Sequence, residues 1–276
     1  MKTITTMRKC LYIFLGGSLL FSTACEKEID LNLTGNDNKY VVDAVLTDQR
    51  GGCLVKISQT KDFYADNSFA GVSGAKVMIY RNEDTTFLRE EDPGIYIDTD
   101  LRGISGRSYG LMIVIGKDTI TASSYLPTKV NFGALYVARE EMFGTLIKRA
   151  VVLYNDPANE ANYYRFVQTI NGIITRRIFV RNDDLTNGNP TETTLFTFAN
   201  GDDDTAKDGK INSGDVITVE MQNVDAAVYK YFFSMGNGSM GDSNAAAPAN
   251  PVSNLSGNAI GYFSAHTVQT KTITAP

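Results

Sequence analysis

The sequence predicts an all-β protein built as two successive β-sandwich domains with one short helix. Short runs of alternating apolar and polar residues recur from Tyr40 almost to the end of the chain, the period of half-buried strands. Turn signals such as Asp92-Pro93-Gly94 and Gly116-Lys117-Asp118 separate them. Only one segment shows helical spacing. Short strands of this kind, closely spaced and joined by turns, argue for sandwiches.

The first expected strand runs from Tyr40 to Leu46, and the second from Cys53 to Ile57, with Cys53, Val55 and Ile57 on one face. Ala75 to Tyr80 alternates likewise, with Ala75, Val77 and Ile79 together. Ile95-Tyr96-Ile97 follows the Asp92-Pro93-Gly94 turn. Tyr109, Leu111, Ile113 and Ile115 alternate before the Gly116 turn, and Thr119 to Ala122 returns. Pro127 is a natural end for the first domain. The second half continues with Lys148–Tyr154, Tyr163–Ile170, Ile173–Arg181, Thr193–Phe198 and Asp215–Gln222. Tyr163 and Tyr164 fall on opposite faces, so one enters the core while the other faces out.

From Val224 to Met235 the apolar residues Val224, Ala227, Val228, Tyr231, Phe232 and Met235 follow the i, i+3, i+4 spacing of an amphipathic helix. Asn223 is expected to cap it, Asp225 suits its positive end, and Gly236 suits its stop. Residues 236–258, rich in Gly, Asn, Ser, Ala and Pro, read as a long surface loop. A last strand is expected from Ala259 to Val268.

The N-terminus carries a different message. Lys2, Arg8 and Lys9 precede the apolar run Leu11 to Phe21, then Ser22-Thr23-Ala24 leads to Cys25. This is the layout of a secretory signal. The apolar run is about half the roughly 20 residues needed to span a bilayer, and no later segment is long and apolar enough either. A cysteine directly after the cleavage zone is a candidate for lipidation, with acyl chains on Cys25 supplying the anchor. The alternative is an ordinary cleaved signal with an incidental cysteine. The expected organisation is a signal over 1–24, an acylated tether over 25–32, a first sandwich over 33–127 and a second β domain over 128–276. Acid-rich Glu26-Lys27-Glu28-Ile29-Asp30 suits a surface-display tether or a solvated linker. The expected location is the outer membrane, lipid-anchored and at the cell surface.

Loss of residues 1–24 removes three basic and no acidic side chains, which turns the formal charge of −5 into −8. That argues against nucleic acid or anionic lipid as a partner. Cys10 leaves with the signal and Cys25 carries lipid, so Cys53 is the one thiol left in the folded part and no internal disulfide is expected.

Candidates for chemistry are few. His266 is the chain's single histidine, so any histidine-based triad must run through it, with Ser264 nearby. No nucleophile-elbow motif accompanies it, and a zinc site would need more His or Cys. Asp204, Asp208, Gly209, Asn212 and Asp215 follow part of a calcium-loop spacing, but Ala206 stands at a ligand position and Asp replaces the closing Glu. A calcium-binding hairpin and a solvated turn on Asp208-Gly209 both remain open. Asp156 and Glu160 would be the carboxylates of a glycosidase, yet Asp156-Pro157 reads first as turn chemistry. Tyr163, Tyr164, Tyr229 and Tyr231 are candidate stacking rings for glycan. The residues favour a non-catalytic protein with no cofactor and no metal.

Two resemblances extend these readings. Gly74-Ala75-Lys76-Val77, Pro93-Gly94-Ile95-Tyr96 and Gly106-Arg107-Ser108-Tyr109 resemble the transthyretin-like or carboxypeptidase-regulatory-like β-sandwich, an Ig-like architecture that implies a structural spacer. Across the mature chain, five features occur in matching order. They are the lipobox with its acidic tether, Val41 to Thr47, Asp156-Pro157 with Asn162 to Phe166, Gly214 to Val219, and Asn250-Pro251 with Asn254, Gly257, Gly261 and Phe263. The set resembles a family of Bacteroidota outer-membrane lipoproteins classed as a domain of unknown function. The resemblance implies an accessory to a TonB-dependent nutrient-uptake system, with a surface glycan-binding module as the alternative. It brings no catalytic or binding residue with it.

Overall fold

Strand β1 (Tyr40–Thr47) alternates as its sequence dictates, with Tyr40, Val42, Ala44 and Leu46 buried. The computed structural model describes residues 38–61, 69–142, 144–158, 160–196, 209–239 and 250–276, and all of these lie in one unit. Cys25, Asp204 and Asp208 lie outside the described residues, as do the expected signal and tether.

After β1 come β2 (Cys53–Gln59), β3 (Lys76–Arg81), β4 (Asp84–Phe87), β5 (Arg89–Asp92), β6 (Ile95–Asp98), β7 (Arg107–Ile115) and β8 (Asp118–Leu126). The second half holds β9 (Phe132–Met142), β10 (Thr145–Asn155), β11 (Tyr163–Ile170), β12 (Ile173–Ile174), β13 (Phe179–Asn182), β14 (Pro190–Leu195) and β15 (Val216–Val224). Helix α1 (Ala226–Ser239), β16 (Leu255–Ser256) and β17 (Ala259–Thr274) complete it. Among the described residues the protein is all-β with one short helix, as its periodicity predicts.

The largest sheet runs β12-β11-β15-β17-β1-β2-β6-β5, with β13 also on β11. A five-stranded sheet, β16-β8-β7-β3-β4, and a three-stranded sheet, β14-β10-β9, complete the set. The first core combines Val42, Val55 and Phe263 of the large sheet with Ile79, Leu111 and Ile120 of the five-stranded one. The second combines Tyr164, Phe166 and Met221 of the large sheet with Val152, Tyr154 and Leu195 of the three-stranded one. Pro127 falls in the connection between β8 and β9, and the strands on either side of it fill different cores.

One strand serves both. Residues 259–266 of β17 pair in parallel with β1, whereas residues 267–274 pair antiparallel with β15. Phe263 and Ala265 enter the first core, and Ile273 packs against the second. All three have the same parity, so both cores lie on one face of β17. The opposite face carries Tyr262, which packs against α1 together with Val228, Tyr231 and Phe232.

Several local expectations are corrected. Asn223 does not cap α1; the Asp225 carboxylate accepts from the Val228 N–H at 2.8 Å and is the cap, while Asn223 is buried elsewhere. Gly236 does not end the helix, which continues to Ser239, so the expected loop opens as helix. The expected strand Ile173–Arg181 is two short strands, both antiparallel to β11, with the register displaced by two residues between them: Ile173 pairs with Ile170, whereas Arg181 pairs with Tyr164. Of the expected strand Thr193–Phe198, residues 193–195 lie in the strand Pro190–Leu195, and residues 197–198 lie outside the described residues.

Gly261 makes the parallel seam with β1 geometrically allowed. It sits at φ +114°, and a Cβ there would stand 1.9 Å from the Val42 carbonyl oxygen. Gly116, in the two-residue β7–β8 turn, also has positive φ (+58°) but nothing within 4 Å of its absent Cβ. Gly261→Ala is therefore expected to destabilise the fold by about 3 kcal/mol or more, and Gly116→Ala by only about 1 kcal/mol. Urea unfolding midpoints of the two variants check this contrast.

Candidate functional site

Where β17 exchanges β1 for β15, buried and part-buried side chains take over the duties of a strand. Asn254 binds both backbone groups of Phe263, accepting its N–H at 3.0 Å and donating to its carbonyl at 2.8 Å. Ser124 Oγ accepts from the Ala265 N–H at 2.9 Å and donates to Asp225 at 2.6 Å. On the far side of the exchange, Asp48 accepts from the Val268 N–H at 2.9 Å. Its other oxygen pairs with Lys129 at 2.6 Å. Asn223 accepts from the Val130 N–H and the Thr267 hydroxyl. These side chains tie the ends of β1, β8 and β15 and the start of α1 to one strand.

His266 lies at this junction and is buried. Its Nδ1 and the Ser264 hydroxyl are 2.9 Å apart, and Ser264 is buried too. The Asp48 carboxylate is committed to Val268, Lys129 and Gln49. The serine–histidine pair thus occupies the packed interior of the seam. Burial drives the imidazole pKa down to about 4, and the Arg165 guanidinium lowers it further, opposed in part by Ser264 and Asp48.

The other sequence candidates separate. Asp156 is buried and accepts from the Tyr164 hydroxyl and the Gly188 N–H, while Glu160 is exposed. Asp156 thus closes a loop onto the second core and has no facing carboxylate in Glu160. Asp215 accepts from the Asn212 backbone and side chain and from Asn171, which makes it the anchor of the turn into β15. Among the described residues no three His, Cys, Asp or Glu side chains come together as metal ligands do. Burial pushes the Cys53 thiol up to about 12, so it stays protonated inside the first core.

The four candidate tyrosines also divide. Tyr164 and Tyr231 are buried, Tyr164 against Tyr154 and Phe166. Tyr163 and Tyr229 are half-buried with ring centroids 5.2 Å apart, and Tyr229 stacks on Phe233 at 5.6 Å. Phe233 is 48% exposed at the end of this ladder, one helical turn after Tyr229. Val252, also exposed, is tied to the same helix through its N–H to Ser234. Beneath them, Arg165 stacks over Phe232 at 4.0 Å and donates to Gln222. Tyr229 and Phe233, with Tyr163 of β11, form an aromatic strip on a helix that packs on the large sheet. Phe233 was missed in the sequence reading, although its i+4 spacing from Tyr229 is the signal that finds it.

Neutral His266 has a consequence for acid stability. In the unfolded chain an imidazole titrates near about 6.5; in the fold His266 titrates at about 4. Between those values the unfolded chain binds a proton that the folded one refuses, so stability falls as pH drops from 6.5 toward 4. The full loss is about 3 kcal/mol. Asp48 acts at lower pH: burial raises its carboxyl, but Lys129, the Val268 N–H and Gln49 outweigh this and hold it below the usual value. Urea midpoints measured from pH 7 to 4.5 are expected to decline in the native protein, with most of that decline absent in His266→Gln.

Residues 26–272 match the family described as a domain of unknown function (DUF4249). Comparison with curated proteins gives no match. The match opens at the residue after Cys25 and ends at residue 272 within β17, so it includes Asp156, Asn254, Gly261 and Phe263, whose contacts build the two cores and the seam. It covers both cores and the exchange strand alike. The chain belongs to the DUF4249 family.

Proposed function

We propose that this protein is a non-catalytic lipoprotein held on the outer membrane by acyl chains on Cys25, acting as an accessory to a TonB-dependent nutrient-uptake system. One observation carries the reading: the family match begins at residue 26, directly behind the cysteine that ends a signal-like leader. Two further facts support it. No helix among the described residues is long and apolar enough to cross a membrane, so attachment would come from lipid. Asp156, Asn254, Gly261 and Phe263 are occupied in building the scaffold, which leaves loops and surface for recognition. The strip of half-buried Tyr229 with exposed Phe233 and Val252 is the surface we assign to a receptor partner.

A glycan-binding surface is the second reading, favoured by the Tyr163–Tyr229–Phe233 ladder and its exposed terminal ring. The two readings part on experiment. In the native host, mass spectrometry is expected to find acylated Cys25 at the mature N-terminus, and Cys25→Ser is expected to leave the membrane fraction. Detergent extracts are expected to yield an outer-membrane receptor with the native protein and less with Phe233→Ala. An unmodified cysteine or recovery without a receptor would contradict the accessory reading. Retention on a polysaccharide panel that falls at least tenfold in Phe233→Ala would favour glycan.

A further inference from the structure

The five-stranded sheet carries a cleft of about 210 Å³ between the β3–β4 hairpin and the connection 101–104 that leads to β7. Tyr80, Arg81, Asp84, Arg102, Ile104 and Tyr109 form its working surfaces. Its polar groups are arranged for an anion. Arg102 Nε donates to the Asp48 carbonyl at 2.7 Å, which fixes the guanidinium plane. Its terminal nitrogens have no further partner among the described residues. Arg81 donates to Asp84 at 3.1 Å across the hairpin turn. The Tyr109 hydroxyl, on a side chain only 4% exposed, accepts from the Ile104 N–H at 2.8 Å and keeps its own proton to donate.

The site is held in advance of any ligand. Four successive residues of the connection are fastened: Leu101 N–H to Asp98, Arg102 to Asp48, Gly103 N–H to the Thr47 carbonyl and Ile104 N–H to Tyr109. The opposite wall is equally fixed. The Tyr80 ring lies on the bare backbone of Gly110, where a Cβ would stand 2.0 Å from it. Rigid walls reduce the ordering cost of binding.

We infer that this cleft binds a small organic monocarboxylate with a compact apolar body. Two guanidinium groups against the Asp84 carboxylate leave one positive charge, which matches a monoanion better than a phosphate dianion. This cationic site stands out on a chain of net charge −5. Arg102, whose two terminal nitrogens have no partner among the described residues, offers the planar fork that a carboxylate takes bidentately. Ile79, Leu101 and Ile104 supply an apolar lining for the hydrocarbon part. The volume is below the roughly 300 Å³ at which drug-sized sites begin, so it suits a ligand of metabolite size. The inference goes beyond the membrane reading and stands without it, since it concerns the folded body alone.

Calorimetry on the purified protein tests it, with phenylacetate as probe and phenylacetamide as its neutral counterpart. Saturable binding of phenylacetate at a dissociation constant of roughly 0.1–1 mM is expected. A loss of at least tenfold is expected with the amide and with Arg102→Gln. Arg81→Gln, which removes no contact to the 101–104 connection, is expected to weaken binding several-fold and stands in if Arg102→Gln fails to fold. No heat from phenylacetate at about 10 mM, or equal affinity for acid and amide, would overturn the proposal. So would unchanged binding in both arginine variants. A peptide with a free C-terminal Phe is the other source of the same chemistry; binding of that peptide without binding of phenylacetate would overturn the small-molecule assignment.

Discussion

A strand that changes partners midway must satisfy the backbone groups on both of its edges, and β17 does so with side chains. Its first half has β1 on one edge, and on the other Asn254 and Ser124 serve Phe263 and Ala265. Its second half has β15 on that other edge, and at the exchange Asp48 serves Val268 from the end of β1. Each buried group left unmatched would cost about 1–3 kcal/mol, so the seam tolerates little erosion. Both cores, and the helix on the reverse face, are positioned by this one strand. Gly261 allows the close parallel approach to β1, and Phe263 fills the first core directly behind it.

Much of this was legible in the sequence where one face is buried and the other is wet. Val42, Ala44 and Leu46, then Cys53, Val55 and Ile57, alternate cleanly because each strand has a single core to face. The helix was legible for the same reason, through Val228, Tyr231 and Phe232. Strand β9 was not, because Gly133 and the run Arg139-Glu140-Glu141 sit on an edge strand and blur its alternation. Nor was the full length of β17. After Val268 it becomes Gln-Thr-Lys-Thr-Ile-Thr, which enters the second core only weakly and reads as a polar tail. Its pairing with β1 joins residues more than two hundred positions apart, and no local pattern records that.

The candidate sites follow the same division. Single conspicuous residues, His266 and Asp156, were easy to pick out by type but proved to be interior fastenings, because chemistry read from type ignores burial. Asn223 was assigned to the helix cap by position, and the neighbouring Asp225 took that role because Asn223 already serves Val130 and Thr267. What no local pattern assembles are surfaces built from distant segments: Tyr163 and Tyr229 were candidate rings, but not their ladder with Phe233 across a strand and a helix, nor the Arg81–Arg102–Tyr109 cleft. In a scaffold whose conspicuous residues are spent on the seam and the cores, such surfaces are where recognition belongs.

The central claim is that β17 joins the two cores into one folding unit. Native-state hydrogen exchange in increasing urea tests it most directly, by following amides of β7 in the first core and β11 in the second. The expected result is that both sets converge on one opening free energy and shift together in Asn254→Ala. Two separate openings, with the variant moving only one of them, would contradict the account.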